Sequence, residues 1–483
     1  MASDSLPMKN DLEKEAVTPD SDSDSFQVSL DENEDPQHMA TWRKWAAMIV
    51  LSAGALCVTC LSSIASFTQV GASAQFHISN VVSTLAVSLF VMGLGIGPLL
   101  VGPLSELYGR SIVYRVSYGL FFVFSWPVTF PPNAAIYLIF RFISGFCASA
   151  FMNVVGGSAA DMFSNAQVGN AMAFYTITPF MGPILGPLMG GFINQNLDWR
   201  WTYRVMIVWI FIELVLVFMF IPETYAPILL KRKAQRLRKS TGNPQYWAPL
   251  DKQTRSVLHA IIVSCYTPFK LLIFDPMALL LDLWTALILG ILYLSFEAFP
   301  IIFAKHGFDM QMTGLTFLGI GVGEFIAYAS MPWWNKLHAR SAAKHGGKAP
   351  PEIRLYMGQL GGILVPLSLF WIAFTTYPSV HWIVPIIASI PLGTGLYFVY
   401  NSVFTYLVVA YRPIAASAMA ANSAMRSSFA AGFPLFAPAM YAKLGTVGAT
   451  ALLAGLTTLM APLPFIFYRY GAHLRRNSPF AVA

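Results

Sequence analysis

The stretch from Gly93 to Arg115, GLGIGPLLVGPLSELYGRSIVYR, constrains this chain more than any other. A wholly apolar segment ends there in Gly102-Pro103-Leu104-Ser105-Glu106-Leu107-Tyr108-Gly109-Arg110, and a second apolar segment begins almost at once. A water-soluble fold has little use for two long apolar helices joined by so tight and charged a turn. A bilayer accommodates all of it: the apolar runs span, the glycines let backbones approach, and the charges stay at the water boundary. Composition agrees. The 483 residues are 56% hydrophobic and 11% charged, against about 25% charged in an average globular protein.

The charge is also segregated. Acids crowd the first forty residues (Asp20, Asp22, Asp24, Asp31, Glu32, Glu34, Asp35), while Lys and Arg gather in later loops. The net charge of +7 is therefore a topology signal, and nucleic acid is not a partner. Residues 1–41 have little to bury and read as a disordered acidic tail. They hold no signal-peptide core, so the first span directs insertion.

Spans of about 20 apolar residues are expected near 43–67, 82–104, 111–131, 134–161, 169–193 and 201–221, then near 277–303, 313–335, 354–377, 381–410, 414–440 and 446–470. The fold expected is an all-α membrane protein of twelve helices in two sets of six. Its units are a bundle over 42–222, a middle loop over 223–275, a second bundle over 276–471 and a tail over 472–483. The middle loop carries Lys231, Arg232, Lys233, Arg236, Arg238, Lys239, Lys252 and Arg255. Further cations lie in the turn after the second span (Arg110, Arg115), between the eighth and ninth (Lys336, Arg340, Lys344, Lys348, Arg354) and at the C-terminus (Arg469, Arg475, Arg476). The opposite loops hold mainly Arg200, Arg204, Lys305 and Lys443. The excess of cations puts both termini and the middle loop in the cytosol. Residues 228–237, ILLKRKAQRL, read as a basic amphipathic helix on anionic headgroups, with a calmodulin-type target as the alternative.

Several intramembrane residues carry chemistry. Glu106 and Arg110 lie four apart, and Asp161 closes the fourth span on the same side, so the three can form an ion-pair cluster. In the fifth span Gly182, Gly186 and Gly190 make one stripe and Pro179, Pro183 and Pro187 another, with Gly191 following. Such a helix bends and lies close against a partner. Arg141 sits a third of the way into the fourth span, where it must either bond backbone carbonyls or face a wet cavity. Glu213, Glu297 and Glu324 are acids within spans and compete for a proton-carrying role, each with a structural alternative. Tyr293, Tyr397, Tyr400, Asn401, Asn422 and Arg426 suit a cavity between the halves, or hydrogen bonds between helices. Cys57 and Cys60 form a Cys-x-x-Cys inside the first span, where small apolar residues are a better account than redox or metal chemistry. The eight histidines are scattered without metal-ligand pairing. No phosphate-binding Gly-rich loop with a Lys is present. Neither enzyme chemistry nor a metal or other cofactor is expected.

The turn Gly102-Pro-Leu104-Ser-Glu106, with Gly-Arg beginning three positions on from Glu106, resembles the signature between the second and third helices of the major facilitator superfamily. Glu106 stands where many members carry Asp, a swap common in the fungal drug/proton antiporter branch. Met331-Pro-Trp-Trp-Asn-Lys336 is a degenerate echo of this turn in the second half. The fifth span is similar to the Gly-x-x-x-Gly-Pro-x-x-Gly-Gly element of that branch, Arg141 to its fourth-helix Arg-x-x-x-Gly, and Phe296-Glu-Ala-Phe-Pro300 to its seventh-helix element. The resemblance covers about 43–480. It implies that Glu106, Arg110 and Asp161 latch a cytosolic gate, that Arg141 and Glu297 take part in proton coupling, and that the antiporter helix marks an exporter. The cargo would be a small molecule exchanged for protons across the plasma membrane, by a monomer among membrane lipids. Many relatives read Leu-Val-Asp-Ala-Tyr before the eleventh span, where this chain has Leu407-Val408-Val409-Ala410-Tyr411. Loss of that acid argues against a polycation. It turns the expectation toward an organic acid, with fungal itaconate exporters as the analogy, or a drug-like secondary metabolite. A proton-independent facilitator, a multidrug or polyamine exporter, and a nutrient receptor that moves no cargo are the other readings.

Overall fold

The computed structural model describes residues 26–164, 167–251, 257–344 and 350–481. Apolar runs with no internal polar period form long helices, because a backbone out of water must bond to itself. The first pass is α1 (Thr41–Ile64), continued through a short 3-10 turn into α2 (Gln69–Phe76). The second is α3 (Asn80–Ile96) and α4 (Pro98–Tyr108), bent by 40° at Gly97-Pro98, where proline removes a backbone donor. Next come α5 (Arg110–Thr129), then α6, α7 and α8 (Ala134–Ala148, Ala150–Asn153, Val155–Met162), then α9 (Val168–Asn196) and α10 (Arg200–Phe220).

A connecting region holds α11 (Ala226–Thr241) and α12 (Val257–Phe274). The second half starts with α13 (Pro276–Ala304), followed by α14, α15 and α16 (Met310–Thr316, Leu318–Ala329, Met331–Lys344). It continues with α17 (Leu355–Ala373), α18 (Ile383–Ala410), α19 (Ala415–Met460) and α20 (Leu463–Asn477).

Among the described residues, nine helical runs are long and apolar enough to cross a bilayer, and the bent α3–α4 pair makes a tenth. The run from Ala415 onward counts as one of the nine, yet it folds back on itself. Gly445 sits at φ 71° and ψ 172°, a backbone that glycine adopts readily. The Tyr441 hydroxyl lies 3.0 Å from that of Thr450, although nine residues of straight helix would hold them about 13 Å apart. That hairpin gives an eleventh pass. The twenty-residue α5, with Arg110 and Arg115 in its first two turns, completes twelve. Both ends of the membrane region thus lie on one side, the terminus face, opposite the far face.

One apolar core lies within the first set of six, and a larger one fills the second set and takes in Phe67, Val87, Val91, Phe180 and Ile184 of the first. The halves meet where α3 runs along α19 and where α9 runs along α14 and α15. Ser88 Oγ donates to the Ala431 carbonyl at 2.6 Å, and Gly95 lies directly against Ser427.

The connecting region differs from expectation. The basic helix forms as α11, but its apolar stripe does not lie free for headgroups. Ala234 packs with Val28 and Ala248, flanked by Leu230, Leu237 and Tyr246. Residues 26–39 of the tail, expected to be disordered, are what cover it. Val28 N donates to the Trp247 carbonyl at 3.1 Å, and Lys233 Nζ reaches both Asp31 and Glu34 at 2.7 Å. These acceptors hold the Lys233 ammonium above its usual pKa. Residues 1–25 lie outside the described residues. The apolar surface of this region belongs instead to α12. It packs on α4, α13 and α19 while Ile262, Val263, Tyr266, Phe269, Ile273 and Phe274 stay exposed along one face. Two other boundaries move: α16 carries the eighth pass to Lys344, and α20 carries the last to Asn477.

Candidate functional site

The charged turn after the second pass builds a cluster at the terminus face. Gly109 turns the chain at φ 101°, and α5 begins with Arg110. The Arg110 guanidinium reaches Asp161, with Nε 3.3 Å from Oδ2, and donates through Nη1 to Ser105 Oγ at 2.6 Å. Glu106 does not join it; that side chain is exposed, and Glu223 takes its place. Glu223 Oε1 accepts the backbone N–H of Arg110 at 2.9 Å and those of Thr224 and Tyr225 at 3.1 Å. Its other oxygen lies 3.8 Å from Arg232 of α11. Glu223 therefore ties the start of α5, the end of α10 and the connecting region together. The sequence signal was an acid immediately after the sixth pass, on the same face as the turn. Tyr225 packs under Arg110, whose guanidinium carbon is 4.9 Å from the ring centroid. Burial raises the Tyr225 hydroxyl pKa, Glu106 adds to the shift and Arg110 opposes it.

Deeper in the first half, Arg141 is fully buried. Nε donates to the Ala86 carbonyl at 2.8 Å and Nη2 to the Leu61 carbonyl at 3.2 Å. The guanidinium lies 4.4 Å from the Phe90 ring centroid, and Nη1 has no partner among the described residues. Of the two accounts of this residue, the backbone-carbonyl bonds are present, and they join α1, α3 and α6.

The three acids separate sharply. Glu213 is buried inside the first half, 3.5 Å from where a side chain on Gly54 would begin. Glu324 is buried inside the second half, and neither oxygen has a partner among the described residues. Only Glu297 connects the halves: Gln69 Nε2 donates to its Oε1 at 2.6 Å. Gln69 is oriented by Thr84, which donates to Gln69 Oε1 at 3.3 Å, and by Ser83, which donates to its carbonyl at 3.0 Å. Beside this pair, Tyr293 and Ser62 hydroxyls meet at 2.7 Å, and Phe67 packs edge-on to Phe317 with centroids 6.5 Å apart. These contacts close the far-face side of the inter-half seam.

The glycine stripe of α9 divides its duties. Gly182, Gly186 and Gly190 lie against α1, while Gly191 meets the Met310 carbonyl across the halves and the Pro187 carbonyl faces Gly314. Phe180, on the same helix, reaches the second half. Its ring lies 4.8 Å from that of Tyr400 and 6.3 Å from that of Tyr397.

Around Tyr400 the expected cavity residues converge in part. The half-buried Arg426 lies over Tyr400 at 5.6 Å and over Phe404 at 5.1 Å. The Tyr400 hydroxyl donates to the Thr285 carbonyl at 2.7 Å. Asn422, one turn before Arg426, donates to Thr285 Oγ1 at 2.8 Å and to Asp282 Oδ1 at 2.9 Å. Asn401 points elsewhere, toward the Met331 and Met357 sulfurs at 3.5 and 3.7 Å. Asp282 was missed by sequence reasoning, although an acid two turns into an apolar run was visible. Cys57 and Cys60 are buried free thiols.

Comparison with known proteins places this geometry. A sequence model of the Major Facilitator Superfamily matches residues 51–434. The efflux pump atB of Aspergillus terreus is 41% identical over 99% of this chain and 94% of its own length. The probable drug/proton antiporter YHK8 of Saccharomyces cerevisiae is 39% identical over 98% of this chain and 93% of its own. Among solved structures, the xylose transporter XylE of E. coli, in a partially occluded inward open conformation, aligns with a TM-score of 0.63. That alignment covers 89% of this chain and 98% of XylE at 17% identity, a likeness of fold alone.

Proposed function

Because the chain belongs to the Major Facilitator Superfamily and is a multi-pass membrane transporter rather than an enzyme, we propose that it is a proton-coupled exporter of a small organic metabolite. It works by alternating access, rocking one six-helix half against the other around the Phe180–Tyr400–Arg426 level. The observation that carries proton coupling is the hydrogen bond from Gln69 to Glu297. It puts an ionisable group on the seam that must open when the far face opens. Adding or removing its proton changes the strength of a contact between the halves, so proton occupancy and conformation are linked.

Export as the direction draws support from the relatives named efflux pumps and drug/proton antiporter. The cargo class rests on the centre. Arg426 forms no ion pair among the described residues, and Val409 stands where many fungal antiporters carry an acid, which argues against a polycation. An organic acid of the itaconate type, or a drug-like metabolite with an anionic or polar end, fits these groups. Glu297 is the first candidate for the proton carrier, then Glu324 and Glu213. Arg110 and Asp161, with Glu223 in the place expected of Glu106, serve the terminus-face gate. The loop cations support a cytosolic position for both termini, and the protein acts as a monomer in the plasma membrane, its apolar outer surface in contact with lipid.

Untargeted metabolite profiling of medium and cytosol, from cells with and without the protein, tests this reading. The expected result is at least one metabolite displaced to the medium, with the displacement lost when a protonophore collapses the gradient. Displacement that survives the protonophore identifies a facilitator. No displacement at all favours a receptor.

A further inference from the structure

Asp282 and Asn422 form a buried pair in which half of a cyclic acid–amide bond is already made. A protonated carboxyl and a primary amide complement each other through two hydrogen bonds: amide N–H to carboxyl C=O, and carboxyl O–H to amide C=O. The first is present, Asn422 Nδ2 to Asp282 Oδ1 at 2.9 Å. The amide's second hydrogen goes to Thr285 Oγ1 at 2.8 Å, so its orientation is fixed. The two atoms that would make the second bond, Asp282 Oδ2 and Asn422 Oδ1, are both buried acceptors without a donor among the described residues. A single hydrogen on Oδ2 supplies a donor where two acceptors lack one.

A second observation points the same way. Arg426 lies one turn beyond Asn422 on α19, within electrostatic reach of Asp282. Yet its guanidinium forms no ion pair with that carboxyl; it lies over the rings of Tyr400 and Phe404 instead, and its Nε has no partner among the described residues. An ionised carboxylate, fully buried and so near a cation, would gain strongly by drawing it in. A neutral acid would not. The other groups acting on or near Asp282 are Asp275, at the start of its own helix, and the Tyr411 phenol past the end of α18. Asp275 is already committed to capping α13, accepting from Met277 N and Ala278 N.

We propose that Asp282 and Asn422 form a proton-binding site, occupied in this conformation, whose occupancy sets where the charge of Arg426 lies. The exchange is a simple one: Oδ2 takes a proton from water and the carboxylate becomes neutral, or it returns the proton and becomes an anion. In the neutral form Arg426 is held on the aromatic rings at the centre. In the anionic form the guanidinium is drawn toward α13. This site is separate from Glu297, fifteen residues further along α13 and therefore about 22 Å away along the helix axis. It goes beyond the exporter reading, because it needs no cargo and says nothing of direction.

The test uses the purified full chain in lipid nanodiscs without cargo, read by infrared difference spectroscopy at neutral pH. Wild type is expected to show a protonated-carboxyl C=O stretch that is missing from Asp282→Asn, while any bands from Glu213, Glu297 and Glu324 remain. Asn422→Ser keeps the carboxyl and removes the amide, so it is expected to shift that same band. It carries the test alone if Asp282→Asn does not fold. Identical carboxyl bands in wild type and Asp282→Asn, or an unmoved band in Asn422→Ser, would overturn the proposal. Neither outcome bears on whether export is proton-driven.

Discussion

Glu297→Gln is expected to cut proton-driven export about 100-fold, the scale on which loss of a positioned proton-transfer group is felt, while leaving a folded protein. Glutamine has the size of the glutamic acid and still offers an oxygen to Gln69 Nε2, so the 2.6 Å contact across the seam survives in kind. What it cannot do is gain or lose a proton. The contact between α2 and α13 is then fixed at one strength, and the seam no longer responds to the gradient. Efflux of the displaced metabolite from preloaded cells, followed at several external pH values, distinguishes the cases. Wild type should export faster as the medium is acidified; Glu297→Gln should be slow and flat. The partner substitution Gln69→Leu should behave differently. It leaves the carboxyl titratable but removes the bond across the halves, so transport retains a pH dependence while its rate changes.

Gly186→Val is expected to cost roughly 3 kcal/mol or more, the upper range for forcing extra atoms into a packed contact. A Cβ on Gly186 would lie 2.8 Å from Ile64 N and 2.9 Å from the Cys60 carbonyl. Both are backbone atoms of α1, and neither can move without separating α1 from α9. Gly190 is the control. There a Cβ would meet Phe67 Cβ at 3.0 Å and Ile64 Cγ1 at 3.2 Å, looser contacts that a shift of a few tenths of an ångström relieves. The yield of monodisperse protein and its unfolding temperature should fall sharply for Gly186→Val and little for Gly190→Ala. Because Gly191 faces Met310 of the other half instead, α9 is anchored within its own bundle on one side. Its other side is the surface along which the halves move.

The fold was legible because membrane helices advertise themselves through length and apolar content, which need no knowledge of partners. Arg110 with Asp161 and the singular place of Glu297 were legible for a related reason: an ionisable group in an apolar run must find water or a partner. Failures came where the partner was remote in sequence. Nothing near Ala234 shows that Val28, some two hundred residues earlier, covers its side of α11. Glu106 has the right spacing for Arg110, but the polar groups at the start of α5 are served by Glu223 from another loop. Asn401 sits on a helix with Tyr397 and Tyr400, yet a one-residue step turned it to the sulfurs of Met331 and Met357. Helical spacing alone does not say which of two polar faces looks at the centre. Asp282 is the opposite case. It meets the rule that singles out Glu297, an acid within an apolar run, but its partner Asn422 lies 140 residues further along the chain.

For cargo to leave, the halves must part at the far face. Phe67 and Phe317, whose rings lie 6.5 Å apart across that seam, allow it to be tested in a Phe67→Cys, Phe317→Cys protein with Cys265→Ser. A short thiol-specific cross-linker that reductant can cleave would hold the seam shut. Export of the displaced metabolite should stop on cross-linking and return on reduction; export that continues at full rate through a protein shown to be cross-linked would contradict the account.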